Sequence, residues 1–436
     1  MITGSDPAVM GDFYMREIVQ RVKGTRDFYP EEMAFRTWLY GQIRIVSERF
    51  GYQEFDAPFL EKLELYAAKS GEELVKEQAF VFTDRGGSEV SLRPELTPSL
   101  ARMVAQRQKE LVYPLRLWSF GPFWRYEQPQ KGRTREFFQW NIDLIGAAGH
   151  QADAELLSIC ADFFRQVGLT PQQVRINVNN RRLMDAQLQK IGVSEALKPL
   201  VFRMIDRRDK LRVDAWRTYG LEQGLTDKSI DLLVALLDDK TLWKASPELT
   251  EIFAILDRMG YADYFEFDPQ VIRGLLYYTG TVFEARDAAR DGRALLGGGR
   301  YENLVGDVGG DPLPGVGFAM GDVMIQVALE KYNLLPDLAV QPARIVVTCF
   351  DADSLAESYA TAAEIRAAGL NTICYPEAVK LDKQLKYANR IGAKFVVIAG
   401  PDEVAAGKIT VKDLEARTQT TVERGQLTAF LRSAGA

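Results

Sequence analysis

The sequence predicts two regions of different fold class. An α+β domain spans residues 23–336 with a helical insertion at about 180–262, and a small α/β domain spans 343–436. Three observations carry this reading. From Arg135 to Leu144 polar and apolar residues alternate, as a half-buried strand requires. Residues 147–260 are mostly of helical period. After Pro336 and Pro342 short β-branched runs alternate with amphipathic ones, the pattern of strands crossed over by helices. A chain of 436 residues exceeds what one core usually supports, so two or more domains are expected.

In order along the chain, residues 1–22 are a lead-in, and the first fourteen show no period. Asp27 and Pro30 signal a helix start, and an amphipathic helix is predicted from Met33 to Phe50, stopping at Gly51. Tyr52–Pro58 and Ser91–Leu96 read as short strands, the second with Glu95 and Thr97 at its end. Helices are predicted at Asp153–Val167 and Asp227–Leu242, and strands at Val271–Ala285 and Ala294–Tyr301. Glycine-rich Pro314–Gly321 leads into a further helix. In the last region Arg344–Phe350, Thr372–Tyr375, Ala393–Ala399 and Lys408–Leu414 read as largely parallel strands, with helices at Ser354–Ala368 and Leu381–Arg390.

Bulk properties exclude several classes. With 47% hydrophobic and 26% charged residues the composition is that of a soluble globular protein, and no apolar run approaches the ~20 residues of a membrane span. The net charge of −6 argues against indiscriminate nucleic-acid binding but leaves room for local basic patches. Cys160, Cys349 and Cys374 are far apart in apolar contexts and read as buried thiols in a reducing cytoplasm, so the localisation expected is cytoplasmic. The single histidine, His150, reads as an exposed loop residue and rules out any site built on several histidines.

The stretch Arg125–Asp143 is the densest in chemistry. Arg125, Lys131, Arg133 and Arg135 surround a Pro/Gly turn, and the following strand presents Arg135, Phe137, Gln139, Asn141 and Asp143 on one face. An aromatic ring among amide, carboxylate and guanidinium groups suits a floor for a ligand with a flat base and a phosphate. This reads as a substrate-binding hairpin.

Together with that hairpin, several further motifs resemble the histidyl-tRNA synthetase family of class II aminoacyl-tRNA synthetases. Lys23-Gly-Thr-Arg-Asp27 is similar to the family's opening, and Gly51–Pro58 to motif 1, the dimer-forming element. Leu92-Arg-Pro-Glu95-Leu-Thr97 resembles the loop that meets the substrate ammonium. Phe123–Asp143 resembles motif 2, Arg273–Tyr278 and Gly297–Tyr301 the two histidine-specific signatures, Gly315–Gly321 the glycine half of motif 3, and residues 343–436 the anticodon-binding domain. The likeness runs from Lys23 to the C-terminus, with the motifs in the family's order.

The resemblance implies an antiparallel class II sheet flanked by helices, a homodimer, and ligation of L-histidine to tRNA(His) by way of ATP-dependent histidyl-adenylate formation. It makes Arg125 and Arg273 the catalytic arginines. Glu95, Thr97 and Gln139 would hold the α-ammonium. Asp143 and Tyr278 would hydrogen-bond the imidazole nitrogens, with Tyr277 lining the pocket. Arg125, Glu127, Arg133 and Phe137 would bind ATP through the α-phosphate, the adenine amino group, the outer phosphates and the adenine ring. Mg2+ bridging phosphate oxygens is the implied helper, with no dedicated metal site in the protein. For Tyr277 and Tyr278 ordinary strand packing is a rival reading, and for Gly297–Gly299 a β-bulge rivals close substrate approach. Basic clusters at Lys383, Lys386 and Arg390, and at Arg203–Arg212, suit tRNA phosphates or equally a solvated face.

Five positions depart from the family pattern. Motif 3 normally continues Leu-Glu-Arg after its last glycine, the arginine covering adenine; here Asp322, Val323 and Met324 stand there, and the cation is missing. Leu276 replaces an aspartate, and Asp143 stands where glutamate is frequent. A rival function is the synthetase-like regulatory subunit of ATP phosphoribosyltransferase, which senses histidine without aminoacylating; the C-terminal α/β domain and the Arg125, Arg133 and Arg273 set argue against it.

Overall fold

The computed structural model describes residues 18–67, 77–130, 132–208, 211–272, 277–290, 292–338 and 340–436. The chain divides into two compact units, Met1–Pro336 and Asp337–Ala436. In the first unit the helix Pro30–Arg49 opens on proline with Glu31 and Glu32 in its first turn, where the helix dipole favours negative charge. Leu39, Ile43 and Val46 recur on its buried face, and Gly51 leaves it at φ +79.

The strands of this unit are β1 (Gln53–Glu54), β2 (Leu60–Lys62), β3 (Phe80–Thr83), β4 (Glu89–Leu92), β5 (Leu115–Trp124), β6 (Glu136–Ile145), β7 (Val174–Asn180), β8 (Phe265–Phe267), β9 (Tyr278–Asp287), β10 (Leu296–Tyr301) and β11 (Gly315–Gly321). Among the described residues they form an eight-stranded sheet ordered β1-β5-β6-β11-β10-β9-β7-β8 and a three-stranded one ordered β2-β4-β3. The large sheet is antiparallel except where β1 meets β5 and β7 meets β8 at its edges.

One face of that sheet is dry. Trp140, Ile142 and Leu144 of β6 and Val316, Phe318 and Met320 of β11 pack with the helix Gln151–Gln166, through Leu156, Ile159, Phe163 and neighbours. The ring of Trp140 lies 4.8 Å from Phe318 and 5.2 Å from Phe163. This is the apolar half of the alternation in Arg135–Leu144. Its other half, Phe137, Gln139, Asn141 and Asp143, therefore faces the opposite side.

Several local expectations change in the structure. The strand expected over Tyr52–Pro58 shrinks to two residues that pair with the sheet's edge, and the one expected over Ser91–Leu96 ends at Leu92. There Arg93 turns inward and Pro94 has no N–H to continue the ladder. The region read as mostly helical contains β7, whose alternating Val174, Ile176 and Val178 are all buried. Around it the helices Arg181–Lys190, Lys198–Arg207, Val213–Glu222 and Asp227–Asp238 enclose a core of their own built on Met184, Leu188, Met204, Trp216 and Leu233. His150 is half-buried, with Nε2 2.7 Å from Glu251, rather than an exposed loop residue.

The second unit holds β12 (Ile345–Val347), β13 (Thr372–Cys374), β14 (Phe395–Ile398), β15 (Lys408–Asp413) and β16 (Thr418–Glu423), in the order β13-β12-β14-β15-β16. β12 runs parallel to β13 and β14, whereas β14, β15 and β16 are antiparallel, so the sheet is mixed rather than largely parallel. The connection from Asp413 to Thr418 is too short for a crossover and forces a hairpin. Asp413 accepts from the amides of Glu415 and Ala416, and Arg417 takes φ 56. The three cysteines are buried and free. Among the described residues no helix is long and apolar enough to cross a membrane.

Candidate active site

The second face of the large sheet carries small residues on β11. On β11 the positions facing that side are Gly315, Gly317, Ala319 and Gly321, beside Ile145, Asp143, Asn141 and Gln139 of β6. A Cβ at Gly317 would stand 2.2 Å from Asp143 Oδ1 and 2.7 Å from the Ile142 carbonyl, so only glycine leaves room for the carboxylate to lie across the strand. A Cβ at Gly299 of β10 would meet the ring of Tyr278 at 2.8 Å, and one at Gly315 of β11 would meet the ring of Tyr301 at 2.4 Å. The glycines thus admit three polar side chains of the protein itself, and the pairing of β10 with β9 shifts register between Gly299 and Tyr301.

Asp143 lies at the centre of these contacts. It is 3% exposed and accepts a hydrogen bond from the Tyr301 hydroxyl at 2.9 Å. Burial pushes its carboxyl up to about 7, against the pull of that hydrogen bond. Tyr277 is buried too, its ring 4.8 Å from that of Tyr278 and 6.2 Å from that of Tyr301, and its hydroxyl donates to Glu95 Oε2 at 3.3 Å. Burial first, then the carboxylates beside them, hold the phenols of Tyr277 and Tyr301 well above their ordinary range, so both stay protonated donors. Two buried carboxylates, from β6 and from the turn after β4, therefore stand among three phenols.

The hairpin of β5 and β6 carries the cations. Its register sets Phe123 opposite Phe137 and Gly121 opposite Gln139. The Phe137 ring stacks on Phe123 at 6.0 Å, and the Arg125 guanidinium lies 5.3 Å from its centroid. Arg125 Nε donates to the Pro94 carbonyl at 3.0 Å, which ties the arginine to the loop bearing Glu95. Thr97 is half-buried and opens the helix Thr97–Arg107. Arg133 and Glu127, expected to meet different parts of a nucleotide, are ion-paired with each other. Arg273, like Leu276, lies outside the described residues.

Three supporting residues were passed over in the sequence reading. Tyr301 is one; its position in Gly-Gly-Gly-Arg-Tyr was the available signal. Arg93 is another, fully buried, donating to Asp56 Oδ1 at 2.5 Å, the Ala57 carbonyl at 2.9 Å and the Pro122 carbonyl at 3.0 Å, with its guanidinium 4.7 Å from the Phe123 ring. It braces the ring under Phe137, and a Cβ at Gly121 would strike it at 2.4 Å. The third is Arg26, whose Nη2 donates to Asp322 at 2.7 Å while Asp322 accepts from the Phe138 amide at 2.9 Å. The unusual aspartate after the motif 3 glycines thus ties the Lys23–Asp27 segment to β6.

A family model for histidyl-tRNA synthetase matches residues 24–323, and one for an anticodon-binding domain matches residues 344–434. The chain belongs to the histidyl-tRNA synthetase family. The chloroplastic/mitochondrial histidine–tRNA ligase of Arabidopsis thaliana is 37% identical over 426 residues, covering 95% of this chain and 87% of that one. The histidine–tRNA ligase of Opitutus terrae is 38% identical over 430 residues, covering 95% and 98%. Among solved structures, histidyl-tRNA synthetase from Nostoc sp. PCC 7120 superposes with a TM-score of 0.77 at 25% identity, covering 96% of this chain and all of that one. A Bacillus halodurans chain described as an ATP phosphoribosyltransferase regulatory subunit/histidyl-tRNA synthetase shares the fold at a TM-score of 0.71 and 23% identity, covering 86% and 97%; at that identity the likeness speaks for the fold alone. Like other members of the synthetase family, this chain joins a class II catalytic fold to a separate C-terminal domain.

Proposed function

We propose that this chain is a histidine–tRNA ligase: it activates L-histidine with ATP to histidyl-adenylate and transfers the histidyl group to tRNA(His), as a homodimer in the cytoplasm. The observation that carries the reading is the buried Asp143 carboxylate, set among tyrosines at the base of the hairpin that bears Arg125 and Arg133. Imidazole has a ring N–H that can donate to Asp143 and a second nitrogen that can meet the Tyr278 hydroxyl, with Tyr277 as the wall. An amino acid without those ring groups would leave Asp143 buried with the Tyr301 hydroxyl as its one partner and a second oxygen unsatisfied, a penalty that selects histidine without editing. Glu95, Thr97 and Gln139 take the α-ammonium.

The reaction needs no covalent enzyme intermediate. One oxygen of the histidine carboxylate bonds to the α-phosphorus as the bond to pyrophosphate breaks, and Arg125 and Arg273 neutralise the charge that develops there. Adenine lies on Phe137 with its amino group toward Glu127, and Arg133 turns from Glu127 to the outer phosphates. A terminal ribose hydroxyl of the tRNA then attacks the acyl carbon, and AMP leaves. Among the described residues no cluster of three or more acidic, histidine or cysteine side chains gathers. Magnesium held on the phosphate oxygens would add to charge neutralisation. Lys383, Lys386 and Arg390 are exposed on one helix whose other face buries Gln384 and Ala388, which suits tRNA phosphates. Arg203, Arg207 and Arg212 are exposed in the helical insertion and form the second proposed contact.

Histidine-dependent exchange of pyrophosphate into ATP tests the first half-reaction, and charging of purified tRNA the second. The Arg273→Ala variant is expected to lose about 100-fold or more of the exchange rate. A histidine-sensing regulatory subunit would show no exchange at all. The anticodon-binding match over 344–434 weighs against that alternative.

A further inference from the structure

The motif 3 position that carries an adenine-covering cation elsewhere in the family is Met324 here, in the first turn of the helix Asp322–Lys331. Its thioether lies against the hairpin tip: a Cβ at Gly132, which holds φ +76, would be 2.5 Å from Met324 Sδ. The same Cβ would be 3.8 Å from Cδ of Arg293, and one at the adjoining Gly292 would be 3.5 Å from Met324 Cε. Arg293 comes from the connection between β9 and β10 and is exposed. Its stem therefore runs alongside the methionine that stands in the arginine's place.

Its charge is oddly placed for a bystander. Removal from water, then the fields of Arg133, Arg125 and Arg286, push its guanidinium below the ordinary arginine range, opposed by Glu127. Arg133 is paired with Glu127, Arg286 with Glu284, and Arg125 is bonded to the Pro94 carbonyl. Arg293 makes no hydrogen bond or ion pair with any described residue. Four guanidiniums thus gather near two carboxylates that are already engaged, an arrangement that repels itself until an anion enters.

We propose that Arg293 is a nucleotide-binding residue that grips the triphosphate of ATP from the β9–β10 connection, supplying the cation that Met324 lacks. This rests on the functional reading above. A guanidinium freed for phosphate makes charge-assisted, often bidentate hydrogen bonds, whereas Met324 offers the base only a polarizable surface. One class II site would then hold its nucleotide with an arginine from a different strand connection.

Calorimetric titration of ATP into the full chain, without histidine, reads this directly. Arg293→Ala is expected to weaken ATP by about tenfold or more while adenosine binds within about twofold of the parent. Arg293→Lys should recover part of the loss, and Met324→Arg placed in the Arg293→Ala chain should tighten ATP and adenosine alike, as a cation over the base would. The inference is overturned if Arg293→Ala binds ATP like the parent, or if ATP and adenosine weaken alike. Absence of histidine-dependent exchange in the parent would strike the functional reading instead, since the titration needs no turnover. Should Arg293→Ala not fold, Arg293→Gln and Arg293→Lys carry the same comparison of ATP with adenosine.

Discussion

Asp143 should make the stability of the ligand-free protein depend on pH in a way that its amide isostere abolishes. Burial raises this carboxyl from its ordinary 3.8 to about 7. The folded chain therefore holds the proton more tightly than the unfolded one. The site is least costly below the ordinary value, and stability drains as pH rises through about 7. At about 1.4 kcal/mol per tenfold in proton affinity, keeping Asp143 ionised in the fold costs about 4 kcal/mol at high pH, of which roughly 3 kcal/mol develops between about pH 5 and about pH 9. Asp143→Asn keeps an acceptor for the Tyr301 hydroxyl and has nothing to ionise. Urea unfolding of both proteins at the two pH values gives the difference, and constant effects of the substitution cancel. The variant should gain roughly 3 kcal/mol on the parent toward high pH, while losing histidine-dependent exchange about 10- to 100-fold in kcat/KM. Parallel pH curves for the two proteins would refute the claim that this carboxylate is buried and desolvated.

Other expectations follow from the same geometry. Tyr301→Phe removes the donor to Asp143, so it should destabilise the protein by about 1–3 kcal/mol at high pH and shift the Asp143 titration upward, measured by repeating the pH series in that background. Gly317→Ala forces a methyl against Asp143 and the Ile142 carbonyl, and a backbone carbonyl cannot swing aside. A loss of about 1–3 kcal/mol and of histidine binding is expected, by unfolding and by calorimetry. Arg93→Met removes three hydrogen bonds to carbonyl and carboxylate oxygens and the brace behind Phe123. It should lower Tm and raise the KM for ATP more than that for histidine, since Phe137 rests on Phe123.

Much of this was open to a reading of residues alone. The alternation after Arg135 separated Trp140, Ile142 and Leu144 from Phe137, Gln139 and Asp143, because strand period assigns faces without knowledge of the partner strand. What stayed hidden depended on partners. Tyr301 reaches Asp143 only because β10 and β11 bring distant segments together and β10 slips its register after Gly299. Arg93 sits between a strand end and a proline, where nothing local marks a buried guanidinium; its carboxylate partner is Asp56, in another segment. The Glu127–Arg133 pair was missed for a different reason. Each residue was read for what a nucleotide would want of it, while in the folded hairpin the two are paired with each other. β16 escaped notice because it is an exposed edge strand of polar residues, and no buried face imposes a pattern on it.

The central claim is that an acidic group and phenols recognise imidazole while arginines draw ATP to the adjoining carboxylate. Amino-acid-dependent pyrophosphate exchange, run on the purified full chain with histidine and with each other amino acid in turn, tests it most directly. Exchange should appear with histidine and stay at background with the rest. Exchange driven equally well by an amino acid without an imidazole, or by none, would contradict it.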